Sequence, residues 1–206
     1  MSQPASASFA DDLPEEHPTN TGVPNKKLIM WAFLASDCMF FGTLISTHLI
    51  FRRLNPEVVD IQTIFNMPLA FFMTLVLLIS SFFMAMAVSA IHTGNIPKTL
   101  ANLVAVIALG GVFVGTMGYE YAHLIHEFEL TVDANIFGST FYILTGTHGL
   151  HVIMGIIWLT GWLIYGLSGR MSFANASDLE VVGLYWHFVE LVWVVLFSLV
   201  YVLEFV

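Results

Sequence analysis

Five runs of about 20 apolar residues divide this chain, at roughly 28–51, 68–91, 99–123, 137–165 and 181–205. A helical run of that length matches the hydrocarbon thickness of a bilayer. Lipid offers no partner for backbone N–H and C=O groups, so each run must satisfy its own backbone, which the α-helix does. The expected fold class is therefore an all-α integral membrane protein, a bundle of five transmembrane helices. Only 10% of the residues are charged, and the polar remainder is too short for a separate soluble domain.

Residues 1–26 read as a disordered acidic tail, with four prolines and the acids Asp11, Asp12, Glu15 and Glu16, and residues 27–206 as the membrane domain. The tail lacks the basic start and short apolar stretch of a signal peptide. A net charge of −9 argues against a nucleic-acid partner, and the single cysteine, Cys38, excludes an intrachain disulfide. Basic residues flanking the runs give the orientation. Lys26, Lys27, Lys98 and Arg170 fall on one side, Arg52 and Arg53 on the other, which predicts N-in, C-out.

Polar residues inside the runs are the candidates for function, because an ionisable group in hydrocarbon costs a few kcal/mol unless protein or water meets it. The last run, VVGLYWHFVELVWVVLFSLVYVLEFV, carries His187 and Glu190 about two turns in. Trp186, Glu190 and Trp193 share one helical face, with His187 at its border, so other helices must cover that face. In the first run Asp37 lies about 15 Å in from the lysines, at 1.5 Å per residue, and His48 lies on the same face. Two readings fit Asp37: a hydrogen-bonded residue holding helices together, or a group tuning a proton path.

The third run contains GGVFVGTMGYEYAHLIHEFE. Gly111, Gly115 and Gly118 form a small-residue face suited to close approach by a neighbouring backbone. Glu120, His123 and Glu127 line one stripe, and Tyr119 and Tyr121 read as interfacial anchors. Glu120-x-x-His123 has the spacing of one di-iron ligand pair, but that site needs a second pair and two further carboxylates. In the fourth run Thr145, Thr147, His148, Gly149, His151 and Gly155 bring small residues and two histidines to mid-membrane. Histidines at i and i+3 could ligate haem or metal, and the glycines beside them favour packing instead. Ser80, Ser81 and Ser89 of the second run read as packing contacts.

Four stretches, in this order along the chain, resemble subunit III of the haem-copper terminal oxidases. They are Ser36–Phe41 (SDCMFF), Tyr119–Tyr121 (YEY), Thr145–Val152 (TGTHGLHV) with Gly155, and Tyr185–Trp193 (YWHFVELVW). The likeness runs from about residue 27 to the end and is to the five-helix form of the family. Asp37 followed by Cys38 leans toward quinol oxidases, Glu190 stands where the family usually has Asp, and Met117 where it has glutamine.

The resemblance implies a non-catalytic subunit of a proton-pumping complex that reduces dioxygen to water. Such a subunit lies in the bacterial inner membrane, directly against subunit I and in company with subunit II. No haem or copper is expected in this chain, since the redox centres belong to partner subunits, and bound phospholipid is expected. The subunit would stabilise subunit I and support proton uptake. Asp37, Glu120, His148, His151, His187 and Glu190 are then structural or proton-environment residues, and Gly111, Gly115, Gly149, Gly155, Trp186 and Trp193 packing residues. Two other readings of the same residues are a self-contained membrane haem or metal redox protein and a small proton channel or transporter.

Overall fold

Asparagine side chains cap three of the five helices. The computed structural model describes residues 24–55 and 64–203; residues 1–23 of the expected tail and loop residues 56–63 lie outside them, while the end of the expected tail, Asn25 and Lys26, already belongs to the first helix. Helix α1 spans Asn25–Leu54, α2 Met67–His92, α3 Ile96–Phe128, α4 Ile136–Leu167 and α5 Ala176–Leu196. Asn66, Asn95 and Asn135 each accept from a backbone N–H three residues on, at 3.2, 3.2 and 2.7 Å. These bonds satisfy amides that the first helical turn leaves free. Pro68 and Pro97 sit in first turns, where a missing N–H costs nothing.

Gly94, at φ +72°, turns the chain from α2 into α3 in a conformation that favours glycine. At the far end of α3, Glu129 takes a left-handed conformation, φ 52°, and the Leu130 N–H reaches back to the Leu124 carbonyl at 3.2 Å. The helices overrun the apolar stretches. Helix α3 continues to Phe128 rather than 123, and α5, with a short 3₁₀ turn at Phe173–Asn175 before it, begins well ahead of 181. The excess turns are polar, as at Asp178, Glu180, His126 and Glu127, so hydropathy alone does not register them.

All five helices are long and apolar enough to cross a bilayer, and the described residues contain no strand. Helix α5 is the axis of the bundle. It touches α1, α2 and α4, while α3 lies against α2 and α4. Of its spanning window 56% is buried, against 17% for α1, which packs at the edge on α4 and α5.

The tryptophans of α5 hold this arrangement. Trp186 lies between two glycines: a Cβ on Gly110 of α3 would sit 2.8 Å from its ring, and one on Gly155 of α4 2.9 Å from it. Its indole N–H donates to Ser80 Oγ of α2 at 3.1 Å, and Trp193 donates to Thr74 Oγ1 at 3.1 Å. Lipid is as apolar as leucine, so association inside a bilayer rests on such close packing and hydrogen bonds rather than on the hydrophobic effect.

Gly149 against Met117 and Gly166 against Leu100 and Met171 make further close contacts. The expected approach at Gly111, Gly115 and Gly118 is not made within this chain. Nothing lies within 4 Å of a Cβ built on any of the three, and all three are exposed. The reason is angular: Gly110, Phe113, Met117 and Glu120 turn into the bundle toward α4 and α5 with the turn that follows it, which leaves the glycine stripe facing out.

At the lysine end an ionic knot joins three helices. Glu180 of α5 takes both Lys27 of α1 and His92 of α2, and Lys26 reaches Asp178 at 2.7 Å.

Candidate functional site

Among the described residues, the three acids that fall inside the apolar spans occupy three different environments. Asp37 of α1 faces α4, where its Oδ2 lies 3.4 Å from Nε2 of His151. The His151 ring is fixed on its other side, because Nδ1–H donates to the Thr147 carbonyl at 2.8 Å. A carbonyl only accepts, so the proton on Nδ1 is assigned. Asp37 Oδ2 is enclosed and makes no hydrogen bond among the described residues, so the bare Nε2 side of His151 is the titratable group that faces it. The Tyr185 hydroxyl donates to the His151 carbonyl at 3.0 Å, and Phe41 meets the His151 ring edge-on at 5.1 Å between centroids.

Glu120 of α3 is buried, 3% exposed. The Tyr201 hydroxyl donates to its Oε2 at 3.1 Å, while Oε1 is enclosed without a hydrogen-bond partner. Tyr201 belongs to the π-helical turn Phe197–Val202 that follows α5, a wide turn of the kind often found at functional positions. Next to Glu120 the Thr145 hydroxyl donates to the Phe141 carbonyl at 2.7 Å, so the Tyr121 hydroxyl is the donor in its 2.7 Å contact with Thr145. Tyr121 thus turns into the bundle. Of the two expected interfacial tyrosines only Tyr119 is exposed, at 64%. Nor do the stripe residues act together: His123 and Glu127 are exposed near the end of α3, and Glu120 is inside.

Glu190 of α5 is on the flank of the helix. Trp186 and Trp193 of the same face point into the core, each 1% exposed. Among the described residues the ion-pair partner of Glu190 is His187, whose Nδ1 lies 3.7 Å from its Oε2. That nitrogen is already engaged with Ser81 Oγ of α2, at 2.6 Å.

His148 is enclosed between Phe113 and Trp193, and its Nε2–H donates to the Val189 carbonyl of α5 at 3.1 Å. This leaves Nδ1 as the bare ring nitrogen, with no partner. The two histidines of α4 therefore serve different neighbours, His148 bonding α5 and His151 meeting α1. Near the arginine end His48 of α1 meets Thr140 of α4 at 2.9 Å. Among the described residues no three His, Cys, Asp or Glu side chains converge as a metal-binding group.

Sequence reasoning missed Ser81, Tyr185 and Tyr201 as partners of the polar residues. Ser81 and Tyr185 lie in apolar runs where each reads as packing, and Tyr201 reaches Glu120 through a π turn that has no sequence signal.

These elements define a class: a polytopic helical membrane protein whose intramembrane polar groups are spread among interhelical contacts. The chain matches the family described as Cytochrome c oxidase subunit III over residues 25–204. It is 35% identical over 179 residues to a cytochrome c oxidase subunit 3 of Bacillus subtilis (strain 168), covering 87% of this chain and 86% of that one. It is 37% identical to a probable quinol oxidase subunit 3 of Staphylococcus saprophyticus, covering 86% and 88%. It is 38% identical to a probable cytochrome c oxidase subunit 3 of Nocardia farcinica, covering 84% of each chain. The chain belongs to the cytochrome c oxidase subunit III family. With five spanning helices and bacterial relatives, it is a multi-pass protein of the bacterial inner membrane.

Proposed function

We propose that this chain is the accessory third subunit of a proton-pumping haem-copper oxygen reductase. It lies directly against subunit I, in a complex that also holds subunit II, with the haems and copper in those partners. The observation that carries this reading beyond the family match is the dispersal of polar groups. Asp37, Glu120 and His148 each engage a different set of neighbours on other elements, while Glu190 meets only His187 of its own helix. Residues of this kind suit a scaffold that holds its shape beside a catalytic subunit. The placement of a carboxyl, Asp37, 3.4 Å from an imidazole, His151, inside the spans supports a role in proton uptake.

The lysine end is assigned to the cytoplasm, because Lys26, Lys27, Lys98 and Arg170 outnumber Arg52 and Arg53. Residues 1–26 precede a single membrane domain. Bound phospholipid is supported by two neighbouring cavities of about 440 and 410 Å³ that share Trp158. One has Asn175 and Asp178 at its rim, and the other is walled by Phe33, Met154, Ile157 and Tyr185. A polar rim above an apolar wall fits a headgroup above an acyl chain.

The test is purification from native membranes in mild detergent, with an absorption spectrum and identification of the co-purifying chains. The expected result is a haem-copper subunit in equal amount, and no haem absorption from this chain once separated. A Soret band on the separated chain would instead support a self-contained redox protein. Proton flux from this chain alone in liposomes would support a channel.

A further inference from the structure

We propose that the seam between α2 and α5, centred on Glu190, is the seat of a transmembrane helix from a neighbouring oxidase subunit, and that this helix donates a hydrogen bond to the Glu190 carboxyl. The inference rests on the subunit reading above and adds to it a place and a chemistry. Glu190 lies within a membrane-spanning helix with its side chain 13% exposed, and among the described residues its one ion-pair partner, His187 Nδ1, stands at 3.7 Å, beyond hydrogen-bonding distance. His187 cannot turn Nδ1 to it without giving up Ser81. The carboxyl is therefore open to the flank and unsatisfied, a state that costs a few kcal/mol against hydrocarbon and is relieved by a donor.

The surroundings say what brings that donor. Leu191 and Val194, one residue and one turn on from Glu190, are exposed, as are Leu78 and Phe82 on either side of Ser81 of α2, which bonds His187, so the seam at this depth presents apolar side chains. Small residues on the exposed side of α2, Ala85 and Ser89, leave room for a helix to come close. An apolar rim around one partly buried polar anchor is the anatomy of an interface centre. The occupant is thus a helix with an amide, hydroxyl or cationic side chain at the depth of Glu190. The glycine stripe of α3 faces lipid or partner as well, but offers no polar group that requires an answer.

The test places a photo-crosslinking amino acid at Phe82, at Leu191 and, on the α3 face, at Val112, in the full chain expressed in its own membranes. Crosslinks from Phe82 and Leu191 to another oxidase subunit are expected. Crosslinks from those positions only to a second copy of this chain, only to lipid, or to nothing would overturn the proposal, even where the chain co-purifies with the oxidase and the family reading stands. Failure to co-purify with any haem-copper subunit would count against the family reading instead. As a second arm, Glu190→Leu should lose most of this chain from the complex under a detergent wash that wild type survives. Glu190→Gln, which still accepts a hydrogen bond, should retain it. Equal retention of all three would also overturn the proposal.

Discussion

Replacing Gly155 by alanine puts a methyl carbon 2.9 Å from Cε3 and Cζ3 of Trp186 and 3.3 Å from Cε1 of Tyr185. Carbon atoms in good contact stand about 3.5–4.0 Å apart, so the indole would have to retreat by roughly 0.6 Å or more. Retreat is obstructed. The ring also lies against Gly110, where an added Cβ would be 2.8 Å from Cη2, and its N–H is held by Ser80. Overpacking of a rigid site costs about 1–3 kcal/mol, which for a chain of this length lowers the melting temperature by roughly 2–4 °C per kcal/mol. The assay is thermal unfolding in detergent followed by tryptophan fluorescence. Gly111→Ala is the control, since nothing lies within 4 Å of its Cβ and the chain's own stability should move by no more than about 0.5 kcal/mol. Trp186→Phe removes the outer ring carbons, so combining it with Gly155→Ala should cost less than the two changes summed. An unchanged melting temperature for Gly155→Ala, or strict additivity in the pair, would refute the clamp.

Other expectations concern the polar contacts. Tyr201→Phe leaves Glu120 buried with no donor and should destabilise by about 1–3 kcal/mol in the same thermal assay, whereas Glu120→Gln, which still accepts from Tyr201, should cost less. Glu180→Gln loosens the knot with Lys27 and His92 at a partly exposed site, for less than about 1 kcal/mol at low salt. Because the Debye length falls to about 3 Å in 1 M salt, melting curves of variant and wild type should converge there. Asp37→Asn removes the titratable carboxyl beside His151 while keeping an acceptor, and should shorten the turnover lifetime of the assembled oxidase without displacing the chain. An unaltered lifetime would leave Asp37 with a packing role alone.

Legibility in the sequence followed the physics of each feature. The five spans were readable because length and hydropathy are local, and their ends were not, because Asp178, Glu180, His126 and Glu127 extend helices past the apolar stretch. Trp186 and Trp193 could be placed on one face by their spacing of seven. Their acceptors Ser80 and Thr74 are on another helix, and only the antiparallel register of α2 and α5 pairs them. Gly111 and Gly110 show the limit of motif reading. The small-xxx-small pattern picks out Gly111 and Gly115, yet the glycine that receives Trp186 is the neighbour, Gly110, because facing is decided by the whole bundle.

The two sides of α5 show how a membrane chain divides its polar residues. Toward the core, Trp186 and Trp193 donate to hydroxyls that α2 supplies, so those bonds are complete before any partner arrives. Toward the flank, Glu190 has only a distant imidazole, although it stands on the same helix and between the same tryptophans in sequence. In a bilayer, where burying apolar surface gives no net gain, a completed hydrogen bond fixes the fold and an incomplete one fixes what the fold associates with. Moving the incompleteness should therefore move the interface. A Phe82→Asn substitution, whose amide comes from α2 beside the seam, is expected to satisfy Glu190 from within the chain and to weaken retention in the complex without lowering the chain's own melting temperature. Retention equal to wild type, with Glu190 bonded to the new amide, would show that association does not depend on that carboxyl.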